Sequence, residues 1–155
     1  MLGDGNGWVE GPDGTKMWGK FGAAGLFLQA GDLILLQHRS LWTAQGGTWG
    51  LPGGARDSHE TVAEAALREA VEECTLDTSL VEVCDELVTA GPFASGWTYT
   101  TVIAVTSTGR PIPVEANEES KELRWVPVAQ LRDLPLHPGF DASLDTLLAR
   151  TGRTA

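Results

Sequence analysis

The stretch GARDSHETVAEAALREAVEECTL, residues 54–76, combines a glycine-led entry with a strongly patterned acidic segment. Its residues 62–74 predict a helix. Thr61, followed three residues later by Glu64, forms a capping box, in which hydroxyl and carboxylate satisfy backbone donors left open at a helix start. At 3.6 residues per turn, Ala63, Ala66, Leu67, Ala70, Val71 and Cys74 gather on one side, small enough to pack closely on a sheet. Glu69, Glu72 and Glu73 fall together on another side, because separations of three and four residues stack side chains over one another. Glu73 borders the apolar side. A solvated acidic face is the ordinary explanation of such a triplet, but electrostatics opposes it here. Like charges at these spacings cost about 0.2–0.5 kcal/mol per pair. All three acids sit in the last turn and a half, where the helix dipole costs roughly 0.3–1 kcal/mol more for each. Arg68 alone cannot neutralise three carboxylates. Oxygen-rich clusters that defy local electrostatics suit hard cations such as Mg²⁺ or Mn²⁺.

Upstream of this helix, Trp49-Gly50-Leu51-Pro52-Gly53-Gly54 reads as a short strand, Thr48–Leu51, running into a glycine turn. Glycine there permits a positive φ and leaves a backbone carbonyl free to face the carboxylates. Further out, Phe21–Gln29 and Leu33–His38 are apolar runs joined by a tight turn at Ala30-Gly31-Asp32. Val81–Thr89 and Trp97–Ser107 are β-rich. Glu122–Val128 predicts a strand whose Pro127 marks an end or an edge. Asp141–Ala149 has the pattern of an amphipathic helix with Leu144, Leu147 and Leu148 on one face. Residues 1–20 read as an N-terminal arm or small hairpin around Pro12-Asp13-Gly14. The order of elements predicts an α+β chain, an α/β/α sandwich with a mixed sheet.

At 155 residues, with no internal repeat and no linker, residues 1–155 are expected to form a single domain. The net charge of −10 argues against binding a nucleic-acid polymer or an anionic membrane, but not against a phosphate substrate approached through bound cations. Two cysteines, Cys74 and Cys84, lie in apolar contexts without ligand spacing and are expected to be reduced core thiols. Neither a signal peptide nor a span of apolar residues is present, so a cytoplasmic location is expected.

The spacing of Gly54, Glu60, Arg68-Glu69, Glu72-Glu73 and Leu76 resembles the signature box of the Nudix hydrolases, and all 23 positions fit except Thr75, where the family has glycine. Supporting likeness runs from about Phe21 to Leu148 and includes Leu51-Pro52-Gly53-Gly54 and Leu123-Arg124-Trp125-Val126-Pro127. The resemblance implies a Nudix-type α/β/α sandwich and metal-dependent hydrolysis of a nucleoside diphosphate linked to some group X. It implies Glu69 and Glu73 as the main metal ligands, Glu72 assisting, and the Gly54 carbonyl completing the set. Arg68 would orient Glu69 or Glu60, and Glu60 would be a supporting residue. Thr75 would either strain the left-handed turn that ends the helix or end it differently.

In this family a carboxylate outside the box often serves as base or as an extra metal ligand. Glu119 is the candidate, with Glu118 and Glu122 as alternates and a plain acidic loop as the competing reading. His38, His59 and His137 are scattered and are expected to be surface or loop residues. One of Trp8, Trp18, Trp42 or Trp97 could stack on a base, without a basis for choosing. A nucleoside triphosphate substrate, including an oxidised one, fits the compact single domain. Pro92, sixteen residues beyond Leu76, keeps ADP-ribose open as an alternative, alongside nucleotide sugars. A homodimer through the N-terminal arm and a non-catalytic nucleotide-sensing module are the remaining readings; the second usually lacks box glutamates, and none is missing here.

Overall fold

A computed structural model describes residues 3–41 and 45–152. Trp42 therefore lies outside the described residues. The hairpin of β1 (Trp8–Glu10) and β2 (Lys16–Trp18) turns through a 3₁₀ segment at Pro12–Gly14 and forms a sheet of its own. A second, mixed sheet contains β3 (Ala23–Ala30), β4 (Leu33–Arg39), β5 (Trp49–Gly50), β6 (Gly53–Ala55), β7 (Val81–Ala90), β8 (Tyr99–Thr106) and β9 (Ser120–Pro127). At its centre, β3 runs parallel to β8. The other pairings, β3 with β4 and β6, β4 with β5 and β9, and β7 with β8, are antiparallel. Helices α1 (Val62–Cys74) and α2 (Pro138–Arg150) complete the fold.

β3 is buried along its whole length, which explains why its sequence is continuously apolar rather than alternating. Its odd and even residues feed two different cores. Ala24, Leu26 and Leu28 join Leu35, Val102 and Ala104 under Ala65, Ala66, Ala70 and Cys74 of α1. Phe27 points the other way, joining Ile34, Leu36 and Ile103 under Phe140, Leu144, Leu147 and Leu148 of α2. One helix on each face makes the expected α/β/α sandwich. Among the described residues no helix is long and apolar enough to cross a membrane.

Helix α1 spans the residues expected, and both halves of the capping box form: Thr61 Oγ1 accepts from Glu64 N at 3.1 Å and Glu64 Oε1 from Thr61 N at 2.8 Å. Its buried face is rotated from the expected one. Ala65 is fully buried and Val71 is 43% exposed, while Glu73 is 3% exposed. The rotation centres Ala66, Ala70 and Glu73 on the sheet, so the helix carries an acid into the interior. Thr75 keeps the left-handed turn, at φ 55° and ψ 40°, and carries the strain of roughly 1–2 kcal/mol that a side chain meets there. Its hydroxyl donates to the Glu115 carbonyl at 3.3 Å.

Two other expectations need correction. Gly53 and Gly54 belong to strand β6 instead of a turn, and neither has a positive φ. Glycine is required at 53 for close approach, where a Cβ would stand 2.4 Å from the Ala24 carbonyl oxygen; a Cβ on Gly54 would stand 2.6 Å from the Glu69 carboxyl carbon and would displace that side chain. Cys74 is buried and free, as expected, but Cys84 is exposed and free. It falls at the register shift between Val83 and Asp85 on β7, a strand with β8 as its one neighbour.

The capping box gives a direct stability test. Thr61→Ala should lower the unfolding free energy by about 1 kcal/mol, read as a lower urea midpoint with an unchanged slope.

Candidate active site

Glu73 is the most buried acid of the box and takes its hydrogen bonds from two neutral donors. Gln37 Nε2 donates to Oε1 and the Gly53 amide donates to Oε2, each at 3.1 Å. Burial, and then the neighbouring Glu69 carboxylate, push its pKa up to about 9. Glu69 is likewise pushed upward by burial, opposed by a hydrogen bond from Arg68. Glu119 adds further repulsion to both acids.

Arg68 holds the rear of this cluster. Its Nε and Nη2 grip the two Glu60 oxygens at 2.6 and 2.8 Å, Nη1 donates to Glu69 Oε1 at 2.9 Å, and Nη2 reaches the Ala55 carbonyl at 2.9 Å. The guanidinium in turn holds the Glu60 carboxyl below its usual range. Glu72 is half-exposed, 3.6 Å from Arg68 Nη1. The expectation that Arg68 meets Glu69 or Glu60 is met by both contacts at once.

The segment at 115–120 crosses the C-terminal end of α1. Backbone amides of Glu115 and Asn117 donate to the carbonyls of Cys74 and Glu73 at 2.8 and 3.2 Å, and Asn117 Nδ2 donates to the Glu72 carbonyl at 3.2 Å. These bonds satisfy helix-end acceptors for which the last turn supplies no basic side chain. They also set Glu119 beside the box. Glu118 and Glu122 are placed elsewhere: the Glu118 carbonyl accepts from Ser40, and the Glu122 carboxylate pairs with Arg124 at 3.1 Å.

A cleft of about 800 Å³ brings together Gly54, Glu69, Glu72, Glu73 and Glu119. Arg68 and Glu60 stand behind its lining. Gln37, Ser120, Tyr99 and Arg39 escaped the sequence reading. Gln37 is 1% exposed and also donates to Ser120 Oγ at 2.6 Å, linking Glu73 to the strand that begins beside Glu119. Strand alternation was its available signal, since Gln37 follows Leu35 on the α1 side of β4 and is polar where an apolar residue is the default. Tyr99 and Arg39 line the cleft, and burial raises the Tyr99 phenol well above its ordinary pKa. No sequence pattern singles these two out. Of the histidines, His38 stacks on Trp49 at 4.3 Å and His59 is exposed. His137 caps α2 by accepting from the Gly139 amide at 3.0 Å and also reaches the cleft. Pro92 is exposed in the β7–β8 loop and is not part of the cleft lining.

Among the described residues, Asp57, His59 and Glu60 bring three ligand atoms within 4.8 Å of one another. Their charge is already answered, because Arg68 lies 2.6 Å from Glu60 and 3.6 Å from Asp57, and the Gly5 amide donates to Asp57 at 2.8 Å. The donor set around Glu69 and Glu73 fits a divalent cation better. It is all oxygen, the hydrogen bonds described to its buried acid come from neutral donors, and the Glu69 carboxylate lies where a Cβ on Gly54 would stand.

Comparison with known proteins agrees with this geometry. A family model described as NUDIX domain matches residues 19–148. A protein of Mycobacterium tuberculosis strain H37Rv named "Putative 8-oxo-dGTP diphosphatase 3" is 52% identical over 155 residues, covering 95% of this chain and 70% of the relative. A "Nucleoside triphosphate pyrophosphatase/Nudix hydrolase fusion protein" of Bifidobacterium longum is 38% identical, covering 92% of this chain and 32% of that one. The crystal structure of a Nudix hydrolase from M. smegmatis, RenU, superposes with a TM-score of 0.89 at 49% identity, covering 96% of each chain. The chain belongs to the Nudix family. It is a hydrolase of phosphoanhydride bonds in nucleotides, a class that generally uses a divalent metal ion.

The buried acid makes a signed prediction. Because the Glu73 pKa is raised on folding, its contribution to stability is present below the unfolded value near 4.5 and is lost as pH rises through about 9. In EDTA, the protein should lose about 1–3 kcal/mol of stability between pH 6 and pH 8.5, and Glu73→Gln should flatten that slope. Urea unfolding of both proteins at the two pH values checks it; parallel slopes would refute the burial argument.

Proposed function

We propose that this hydrolase cleaves a nucleoside triphosphate, with an oxidised purine deoxynucleotide as the first substrate to test. One observation carries the catalytic part: the buried Glu73 and the partly buried Glu69 face each other's charge, with the Glu69 carboxylate lying against the bare backbone of Gly54. The substrate part is supported by the Mycobacterium tuberculosis relative at 52% identity, whose name is that of an 8-oxo-dGTP diphosphatase. The ADP-ribose alternative gains nothing from Pro92, which is not part of the cleft lining. The net charge of −10 favours a small, metal-neutralised nucleotide over a nucleic-acid polymer.

In this reading Glu69, Glu73 and the Gly54 carbonyl hold the ion, Mg²⁺ or Mn²⁺, with Glu72 assisting. A divalent ion bound there supplies charge neutralisation for the phosphate oxygens and acidity to water. The chain's own groups do the rest. Arg68 keeps Glu69 in one orientation and is itself braced by Glu60 and the Ala55 carbonyl. Gln37 and the Gly53 amide fix the Glu73 carboxylate from the opposite side. Glu119, beside both acids, accepts a proton from the attacking water as its oxygen bonds to phosphorus and the bond to the bridging oxygen breaks. The products are a nucleoside monophosphate and pyrophosphate. The hairpin and the box belong to one working unit, because the Gly5 amide and the Asp4 carboxylate bond Asp57 and Ser58.

Magnesium-dependent release of pyrophosphate across a nucleotide panel tests the substrate, with 8-oxo-dGTP expected to give the highest kcat/KM. Glu69→Gln and Glu73→Gln should each lower turnover by roughly 10²-fold or more. Arg68→Ala, which removes an orienting partner, should lose about 10–100-fold. Near-normal turnover in Glu73→Gln would sink the assignment.

A further inference from the structure

The cleft has a second wall that phosphoanhydride chemistry does not require. It is made by the hairpin, whose residues before 19 lie outside the span matched to the family. Asn6, Met17 and Trp18 line the cleft together with Trp97 from the approach to β8. Trp18 leaves 43% of its surface exposed, and an exposed indole beside a polar cleft is a place where a large flat ligand gains contact area.

The wall is held in place. Trp18 packs edge-on against Trp8, with ring centroids 5.0 Å apart and planes at 73°. Trp97 is 6% exposed, stacks on Phe93 at 5.7 Å, and donates its indole N–H to the Trp18 carbonyl at 3.2 Å. With that donor committed, Trp97 braces the wall instead of reading a ligand edge. The Gly19 amide donates to Gly7 O at 2.7 Å and the Lys20 amide to Gly5 O at 2.8 Å. The Gly5 amide then reaches Asp57 Oδ1 at 2.8 Å, and Asp4 accepts from both the backbone and the hydroxyl of Ser58. The hairpin is thus tied to the start of the box itself.

Register relates this wall to the acids. Ala23, which pairs with Ala55 and Tyr99, lines the cleft; Gly54, against Glu69, pairs with the next residue along β3. Phosphate at the carboxylates and an aromatic group at the hairpin therefore share one continuous space. We propose that the N-terminal hairpin is the base-recognition element of this enzyme, with the exposed ring of Trp18 as the platform on which the substrate's nucleobase stacks. Asn6 adds a side-chain amide able to donate and accept at a base edge. The inference rests on the nucleotide reading given above.

The test is calorimetric titration of the full chain, with Mg²⁺, by an α,β-methylene analogue of 8-oxo-dGTP and by methylenebisphosphonate, which has the same bridge but no base. Trp18→Ala should weaken the nucleotide analogue by between about 5-fold and 150-fold, the range for one base–aromatic stack, and leave methylenebisphosphonate within about twofold. Trp18→Phe should restore most of the loss. Trp8→Ala, which removes a prop but no cleft-lining side chain, should cost less than Trp18→Ala. Unchanged nucleotide affinity in Trp18→Ala, equal losses for both ligands, or an equal effect of Trp8→Ala would overturn the assignment while leaving the nucleotide reading standing. Failure of the wild-type protein to bind the analogue at all would overturn both.

Discussion

Arg68 carries contacts to four separate parts of the active region. Its guanidinium meets Glu60 at the approach to α1, Glu69 on the helix, the Ala55 carbonyl at the end of β6, and Asp57, which receives the Gly5 amide. A planar fork with five donors can serve these acceptors at once, where a lysine would offer a point charge. The consequence is an uneven distribution of charge. The acids behind the cleft are neutralised by the arginine, while Glu73 is left to two neutral donors. A buried carboxylate held by neutral donors is disfavoured in its charged form, which is why burial raises the Glu73 pKa.

The alanines of α1 make that arrangement reachable. Ala65, Ala66 and Ala70 are fully buried and let the helix settle closely on the sheet. With larger side chains the helix would stand further off, and Glu73 could not accept from both Gln37 on β4 and Gly53 on β6. The same closeness demands glycine at 53, and a side chain at 54 would push the Glu69 carboxylate away. Helix dipole and acid cluster remain opposed at the C-terminal turn, and the chain answers with the amides of Glu115 and Asn117 rather than with a lysine. Those bonds bring Glu119 into the cleft, so satisfying a helix end and presenting a candidate base are one structural event.

Much of this was legible in the sequence because it is local. Capping box, helix span, strand runs and the spacing of the glutamates depend on neighbours within a few residues. The two-helix sandwich followed from their order and from a continuously apolar β3. What escaped were features set by tertiary register. Helix α1 is rotated so that Val71, read as core, is exposed and Glu73 is buried, and an isolated helical wheel cannot fix that angle. Gln37 had a signal in strand alternation, but its partner Glu73 lies 36 residues away. Cys84 sits at a bulge in a strand with one neighbour, which no composition reports. The four tryptophans could not be ranked until the hairpin placed Trp18 against the cleft and left Trp8 out of its lining.

An ion that completes the charge of Glu69 and Glu73 would be directly visible in a crystal. The most direct measurement is an anomalous difference map from crystals grown with Mn²⁺ in place of Mg²⁺. A peak is expected about 2.1 Å from carboxylate oxygens of both Glu69 and Glu73 and from the Gly54 carbonyl oxygen. A peak at Asp57, His59 and Glu60 with none at the box glutamates would contradict it.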